Sequence, residues 1–435
     1  METNPTRMCE LLIGLPEVNV CGVHDEPGGP IRVHIESRLD QGWCRECGAR
    51  AVIKDRQRVK FVDLPCFGRP TRLVWHKQRW CCREPACPAG SWTILDERIA
   101  WPRAALTDRA ARWATVQVGR RGRSVNEVAS ELGCDWHTVN DAVVAYGEAL
   151  LAADCDRVGH VEALGLDETL FFRKGPRHLK LWCTSVVDVG GPGRQAKLIE
   201  VVEGRTATKV SNWLDDQPDT WRAGIRWGVL DMSGPYRKVF NDSLAHVTQV
   251  ADPFHLIKHA NTKVDECRRR VQNETLGHRG HKHDPLYRSR RLLTKGHERL
   301  DDAGEAKLMG LLEAGDPRGE VRMTWHAKET TRGIYDIDDP AVAADYLDEL
   351  IDDMSDESMP EEVRSLSGTL RRWRDHIVAW HTANVTNGPT EAINNLIKRI
   401  KRIGFGLRRF RHYRVRVLLY AGRPNWDLLA TITPR

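Results

Sequence analysis

The chain has 435 residues, 41% of them hydrophobic and 29% charged, a balance that excludes disorder throughout and leaves room for about three domains. No window approaches the ~18 uninterrupted apolar residues of a membrane helix, and the opening residues lack the apolar run and basic flank of a secretory signal, so a cytoplasmic protein without membrane attachment is expected. The net charge of +6 is segregated: Lys398 to Arg416 holds nine basic residues and no acidic one, whereas Asp336 to Glu362 holds twelve acidic residues and no basic one. A basic run of that density points to nucleic acid.

Residues 1–100 form the first expected domain and carry eight of the twelve cysteines. Without a secretory signal, so many cysteines favour metal or plain burial over disulfides. Cys44-Arg-Glu-Cys47-Gly is followed, after a strand-like stretch from Arg58 to Trp80, by Cys82 and Cys87. Two cysteines two apart with a glycine behind them make a knuckle whose backbone amides point at the thiolates, and a second pair closes a tetrahedron. Cys44, Cys47, Cys82 and Cys87 are therefore the expected ligands of a structural Zn²⁺, with Cys81 a rival for the place of Cys82. Residues 101–155 read as helices only. Ser124-Val-Asn-Glu127 is a capping box, Gly133 breaks the helix it opens, and Asp135 caps the next. A short helix, a glycine turn and a second helix predict a helix-turn-helix, with Trp136, His137, Thr138 and Asn140 on or near its exposed face, within reach of a major groove.

Residues 156–260 carry the strand pattern. Strands are expected at Val161–Asp167, Leu179–Val189 and Ala196–Glu203, the last two joined by a turn at Gly190–Gly193. A helix from Thr206 to Asp215, a strand Ile225–Asp231, a short helix from Pro235 and a strand His246–Ala251 follow. The order βββαβαβ is that of a ribonuclease-H-like α/β core, in which the first and fourth strands are neighbours. Residues 261–376 are charged and helical and read as an insertion, and residues 377–435 return to the core with a basic helix and tail.

Asp167 and Asp231 each close an apolar strand, so adjacency of those strands brings two carboxylates to one sheet edge. Oxygen ligands of that kind suit Mg²⁺ or Mn²⁺, and two such ions can activate a nucleophile and stabilise the leaving oxygen of a phosphodiester. Glu391 is the candidate third acid. On a helix beginning near Pro389, Glu391, Asn395, Lys398 and Arg402 fall on one polar stripe, while Ile393, Leu396, Ile397, Ile400 and Ile403 fall on the other side. Arg408 and Arg409 extend the basic surface, and with Asn395, Lys398 and Arg402 they are the expected phosphate contacts. Glu168, Asp188 and Asp252 are rival acids, and His255 is a rival neighbour of the metal edge.

These blocks together resemble one family. The CxxCG head, Gly165-Leu-Asp167-Glu-Thr, Leu230-Asp231-Met-Ser-Gly-Pro-Tyr236, Asp252-Pro-Phe-His255 and Asn387-Gly-Pro-Thr-Glu391-Ala-Ile-Asn-Asn are similar to the ISL-three (ISL3) family of bacterial insertion-sequence transposases. The resemblance implies a DDE transposase with Asp167, Asp231 and Glu391 as its metal-binding triad. It further implies a zinc-binding head, a helix-turn-helix that reads terminal inverted repeats, and a ribonuclease-H-like core split by a helical insertion. The implied partners are double-stranded DNA, as element ends and as target, and further copies of the chain in a homodimer or higher synaptic oligomer. Ala392 stands where many relatives have glycine, and Cys81 is an additional cysteine. A DNA-binding regulator that has lost catalysis, or a nuclease that cuts without joining, are the alternative readings.

Overall fold

The computed structural model describes residues 1–38, 42–176, 179–191 and 194–434. Pro192 and Gly193, the second half of the turn expected at Gly190–Gly193, lie outside them. In chain order the elements are α1 (Pro5–Ile13), β1 (Val18–His24), β2 (Ile31–Ser37), β3 (Ala51–Cys66), β4 (Arg69–Cys82), β5 (Ser91–Thr93), α2 (Asp108–Thr115), α3 (Val125–Leu132) and α4 (Trp136–Ala153). Then come β6 (Ala163–Lys174), β7 (Leu179–Asp188), β8 (Lys197–Glu203), α5 (Ala207–Asp215), α6 (Asp219–Ala223), β9 (Trp227–Leu230), α7 (Gly234–Ser243) and β10 (Thr248–Ala251). The remainder is helical: α8 (Pro253–Leu276), α9 (Pro285–Leu293), α10 (Asp302–Gly315), α11 (Glu320–Gly333), α12 (Pro340–Ser355), α13 (Glu361–Ala383), α14 (Gly388–Ile403) and α15 (Phe410–Ala421). Among the described residues no helix is long and apolar enough to cross a membrane. The chain divides into two compact units, residues 1–157 with 396–435, and residues 158–395.

The first unit is built on a sheet ordered β1-β2-β4-β3, with β5 added beside β4. The strand-like stretch from Arg58 to Trp80 belongs to two strands: β3 and β4 pair antiparallel from Ala51↔Cys82 to Cys66↔Arg69. The reversal falls on Phe67 and Gly68, whose φ values are 49° and 78°. Two left-handed residues are what a two-residue hairpin loop demands, but Phe-Gly is a weak turn signal beside Asn-Gly, so the alternation on either side read as continuous. Val33, Ile35, Leu73 and Trp75 on one face of the sheet form its core with Leu15, Val18 and Ile99. A second core joins α2, α3 and α4 to the C-terminal segment, with Val128, Leu132, Val139, Val143 and Leu150 packed against Val415, Leu419, Leu429 and Ile432. Gly147 permits the close approach: a Cβ there would stand 2.6 Å from Val415 Cγ1. The capping box is formed, with the Glu127 amide donating to Ser124 Oγ at 3.2 Å and the Ser124 amide to Glu127 Oε2 at 2.9 Å. Gly133 ends α3 in the left-handed conformation, and the Asp135 carboxylate accepts from the Thr138 amide to open α4.

The second unit holds a sheet ordered β10-β9-β6-β7-β8. Its first strand, β6, lies between its second and fourth: β6 pairs antiparallel with β7 and parallel with β9, and β9 pairs parallel with β10. Leu164, Leu166, Val186, Ile199 and Leu230 from the strands share one core with Val239 and Phe240 of α7, Leu256 of α8 and Leu366, Leu370 and Ile377 of α13. A separate core lies among α8 to α11, where Val264, Cys267 and Val271 meet Leu286, Leu308, Leu312 and Trp325. The acidic stretch forms α12 and the start of α13. Its charge is partly answered within the unit, Asp348 by Arg374 at 2.6 Å and Glu362 by Arg270 at 2.8 Å.

Candidate metal and nucleic-acid sites

Asp167 does not end its strand, as its position after an apolar run suggested. β6 continues to Lys174 because β7 pairs with it as far as Leu179, so Glu168 and the buried Thr169 belong to the strand and not to a turn. The expected adjacency nevertheless follows from the register. Gly165 stands opposite Val229 on parallel strands, which puts Asp167 level with Asp231, one residue past the end of β9. Ala251 stands opposite Leu230, so Asp252 follows at the same level on the third parallel strand.

Each of these acids has a different environment. Asp167 accepts from the Glu168 amide at 2.7 Å and from the Asn394 side-chain amide at 2.6 Å. Burial pushes its pKa up, against the pull of those two donors. Asp231 has less relief: its Oδ1 is buried without a hydrogen-bond partner, and only the His255 charge and its own backbone amide pull its pKa down. Burial, with the Asp167 charge beside it, lifts its pKa to about 6. Asp252, a rival acid on sequence, is a helix cap. Its carboxylate accepts from the His255 amide at 3.2 Å and from the Asn387 amide at 2.8 Å, and it meets His255 Nδ1 at 2.9 Å. Glu168 faces Arg205 at 3.3 Å and Asp188 faces Arg194 at 2.9 Å, so these two rivals are already paired.

Glu391 sits in the first turn of α14 with its side chain 45% exposed, 3.8 Å from His255 Nε2. The hydrogen bond to Asp252 holds the histidine pKa above its usual value, against burial, and the charges of Asp252, Asp231 and Glu391 add to that. The start of α14 is seated on β6 because Gly165 has no side chain: a Cβ there would stand 2.2 Å from Thr390 Oγ1. Asn394 was not singled out from the sequence, although it joins the site twice, through Asp167 and through the Ser185 hydroxyl, which donates to its Oδ1 at 2.5 Å. The Asn-Asn pair at 394 and 395 was the available signal. Helical spacing distinguishes the buried first member from the exposed second.

Among the described residues the four cysteines are the one group of three or more metal-type ligands drawn within 4.8 Å of one another, so the three carboxylates are set more widely than that. They fit hard divalent cations nonetheless: a buried carboxylate oxygen without a donor, beside a like charge, is a position that a cation satisfies.

Cys44, Cys47, Cys82 and Cys87 meet as spacing predicted, with Sγ atoms 3.6 Å apart for Cys44 and Cys87 and 3.5 Å for Cys47 and Cys82. Cys81 is outside the cluster, since neighbouring residues on β4 point to opposite faces. The backbone amides of Cys47 and Glu46 lower the Cys44 thiol to about 7, as a knuckle should. Cys87 gains from the Ala89 amide, but burial and the neighbouring thiols push it up to about 12. Four thiols crowded this closely ionise together only around a cation, and the all-sulfur donor set fits zinc.

Of the residues expected to face DNA, Trp136 and His137 are exposed at the start of α4, and Thr138 is half-buried with its hydroxyl on Asp135 at 2.7 Å. Asn140 is corrected: it is 1% exposed and lies 3.3 Å from His412 Nδ1. Position 140 is one residue from Val139 on the helix, and α15 covers both. Asn395, Lys398, Arg402, Arg408 and Arg409 are all exposed.

A family model described as a transposase of the ISL3 DDE type matches residues 164–417. The transposase for insertion sequence element IS1001 of Bordetella parapertussis is 25% identical over 400 residues, which cover 88% of this chain and 90% of that protein.

Proposed function

Because the chain belongs to the ISL3 family of insertion-sequence transposases, we propose that it is a DDE enzyme that cleaves the ends of its element and joins them to target DNA. The reading includes a ribonuclease-H-like core, with residues 261–376 as its insertion and residues 377–395 as its return; the rest of the segment expected to return, residues 396–435, falls in the first unit. It also includes a zinc-binding head over residues 1–100 and a helix-turn-helix over residues 101–155 that binds the terminal inverted repeats. The observation that carries it is the pair of aspartates level on adjoining parallel strands, one of them hydrogen-bonded to the helix that bears Glu391.

Asp167, Asp231 and Glu391 would hold two Mg²⁺ or Mn²⁺ ions, which supply activation of water or of a 3′-hydroxyl and neutralise charge on the scissile phosphate. The protein's own part is positional. Asn394 fixes the Asp167 carboxylate and, through Ser185, ties α14 to β7. Asp252 caps α8 and orients His255 towards Glu391. His137 with Trp136 and Thr138 supports base contact, and Asn395, Lys398, Arg402, Arg408 and Arg409 support contact with phosphates of element or target DNA. Synapsis of two ends calls for at least a homodimer. The site of action is the cytoplasm, where the thiols stay reduced and the chromosome lies.

Glu391→Gln keeps shape and removes charge. Incubated with pre-cleaved element ends, a target plasmid and Mg²⁺, wild-type protein should yield joined products. The variant should yield none while binding the ends as well as wild type. Full joining by the variant would place the third acid elsewhere.

A further inference from the structure

Helices α8 and α13 enclose a cleft of about 380 Å³ beside the acid site, with Asp231 and Met232 in its lining. On α8 it is lined by Lys258, His259 and Thr262, which with His255 share one helix face, and on α13 by Thr369 and Arg372. The two cations differ from their neighbours. Arg371 and Arg374 on the same helix pair with Asp352 and Asp348, and Lys263 pairs with Glu266. Lys258 and Arg372 are exposed and have no carboxylate partner among the described residues. The hydroxyl of Thr369 lies 3.3 Å from His259 Nε2, so the cleft also offers neutral hydrogen-bonding groups between its charges. Met232, which joins the cleft to Asp231, holds a left-handed backbone at φ 64°, a strained conformation for an ordinary residue that concentrates at working sites.

We propose that this cleft is a subsite for a phosphodiester of the DNA strand next to the scissile one, gripped by Lys258 and Arg372. The proposal rests on the reading of Asp167, Asp231 and Glu391 as the phosphoryl-transfer site. Two unspent cations with hydroxyl and imidazole groups between them match a singly charged diester. The volume is that of a small-molecule cleft and excludes a duplex, so one strand enters it. The phosphate held there sets the register of its neighbour against the carboxylates, a positioning role and not a chemical one.

The test uses full-length protein and a synthetic duplex of the DNA that brackets the gene, with each phosphate around the element end replaced in turn by a neutral methylphosphonate. Affinities are measured without metal, so chemistry plays no part. Wild-type binding should weaken by about three- to fivefold, the worth of one surface charge contact, at one or two phosphates beside the cleavage position. In the double variant Lys258→Ala, Arg372→Ala, those phosphates should lose their effect while the rest of the footprint stays. The charge-keeping pair Lys258→Arg, Arg372→Lys should retain it. A footprint unchanged by the alanine pair overturns the subsite. Absence of joined products from wild-type protein is read separately and overturns the phosphoryl-transfer reading beneath it.

Discussion

At the scale of single residues, the acid site sets one buried carboxylate against another. Asp231 titrates near 6 in the folded chain against an ordinary value of 3.8. The folded state therefore keeps a proton that the unfolded state has lost across that interval. Stability is greatest below about 4 on this account and falls as pH rises through 6, because ionising Asp231 beside Asp167 costs folding energy. In metal-free buffer, the melting temperature should fall between pH 5 and pH 7.5, and Mg²⁺ at the higher pH should restore it. Asp231→Asn should flatten both responses. An equal pH dependence in that variant would show that some other group carries it.

At the scale of elements, strand alternation and helix register decide which chemistry faces where. The end of β4 illustrates the first. Cys82→Ser should abolish zinc in protein purified without chelator, whereas Cys81→Ser should keep one equivalent, as read by elemental analysis. Zinc lost from the Cys81 variant instead would mean that the strand slips by one residue. The basic side of α14 illustrates the second. Lys398→Ala with Arg402→Ala should weaken binding to all DNA alike and make the salt slope shallower by about two, since each phosphate contact contributes about 0.9 of a unit. Retention of the full slope would remove both from the interface. Much of this was legible beforehand, because a capping box, a CxxC knuckle and a 3.6-residue apolar rhythm are local signals. The hairpin at Phe67 and Gly68 was not, since its turn chemistry is weak. Neither was the burial of Asn140, which depends on α15, some 270 residues away in sequence and a contact no local pattern records. Asn394 was missed for a related reason: its polarity is spent on Asp167 and Ser185, partners from the sheet that helical periodicity alone cannot supply.

At the scale of the whole molecule, the two charged poles of the sequence have different fates. The acidic stretch lies in the second unit, where several of its carboxylates meet arginines of neighbouring helices. The basic run leaves Lys398, Arg402, Arg408 and Arg409 exposed, while Arg411 is taken by Glu148 and Arg416 is buried. A modest net charge of +6 therefore conceals a focused cationic surface, and association with DNA should depend on salt far more steeply than that sum suggests.

The first unit is discontinuous: its helical core needs Val415, Leu419, Leu429 and Ile432, which the ribosome makes long after α4. At elongation rates of about 5–20 residues per second, the amino-terminal helices wait some tens of seconds for the tail that completes them. A chain stopped after Asn395 should carry α2, α3 and α4 in a protease-sensitive state, and limited proteolysis of that product against the full chain would reveal it. Resistance equal to that of the full chain would show that the tail is dispensable. On the proposed reading, in which α3 and α4 bind the element ends, that grip matures only once residues 396–435 have been made, and a message cut short before them leaves no stable fragment to occupy the ends.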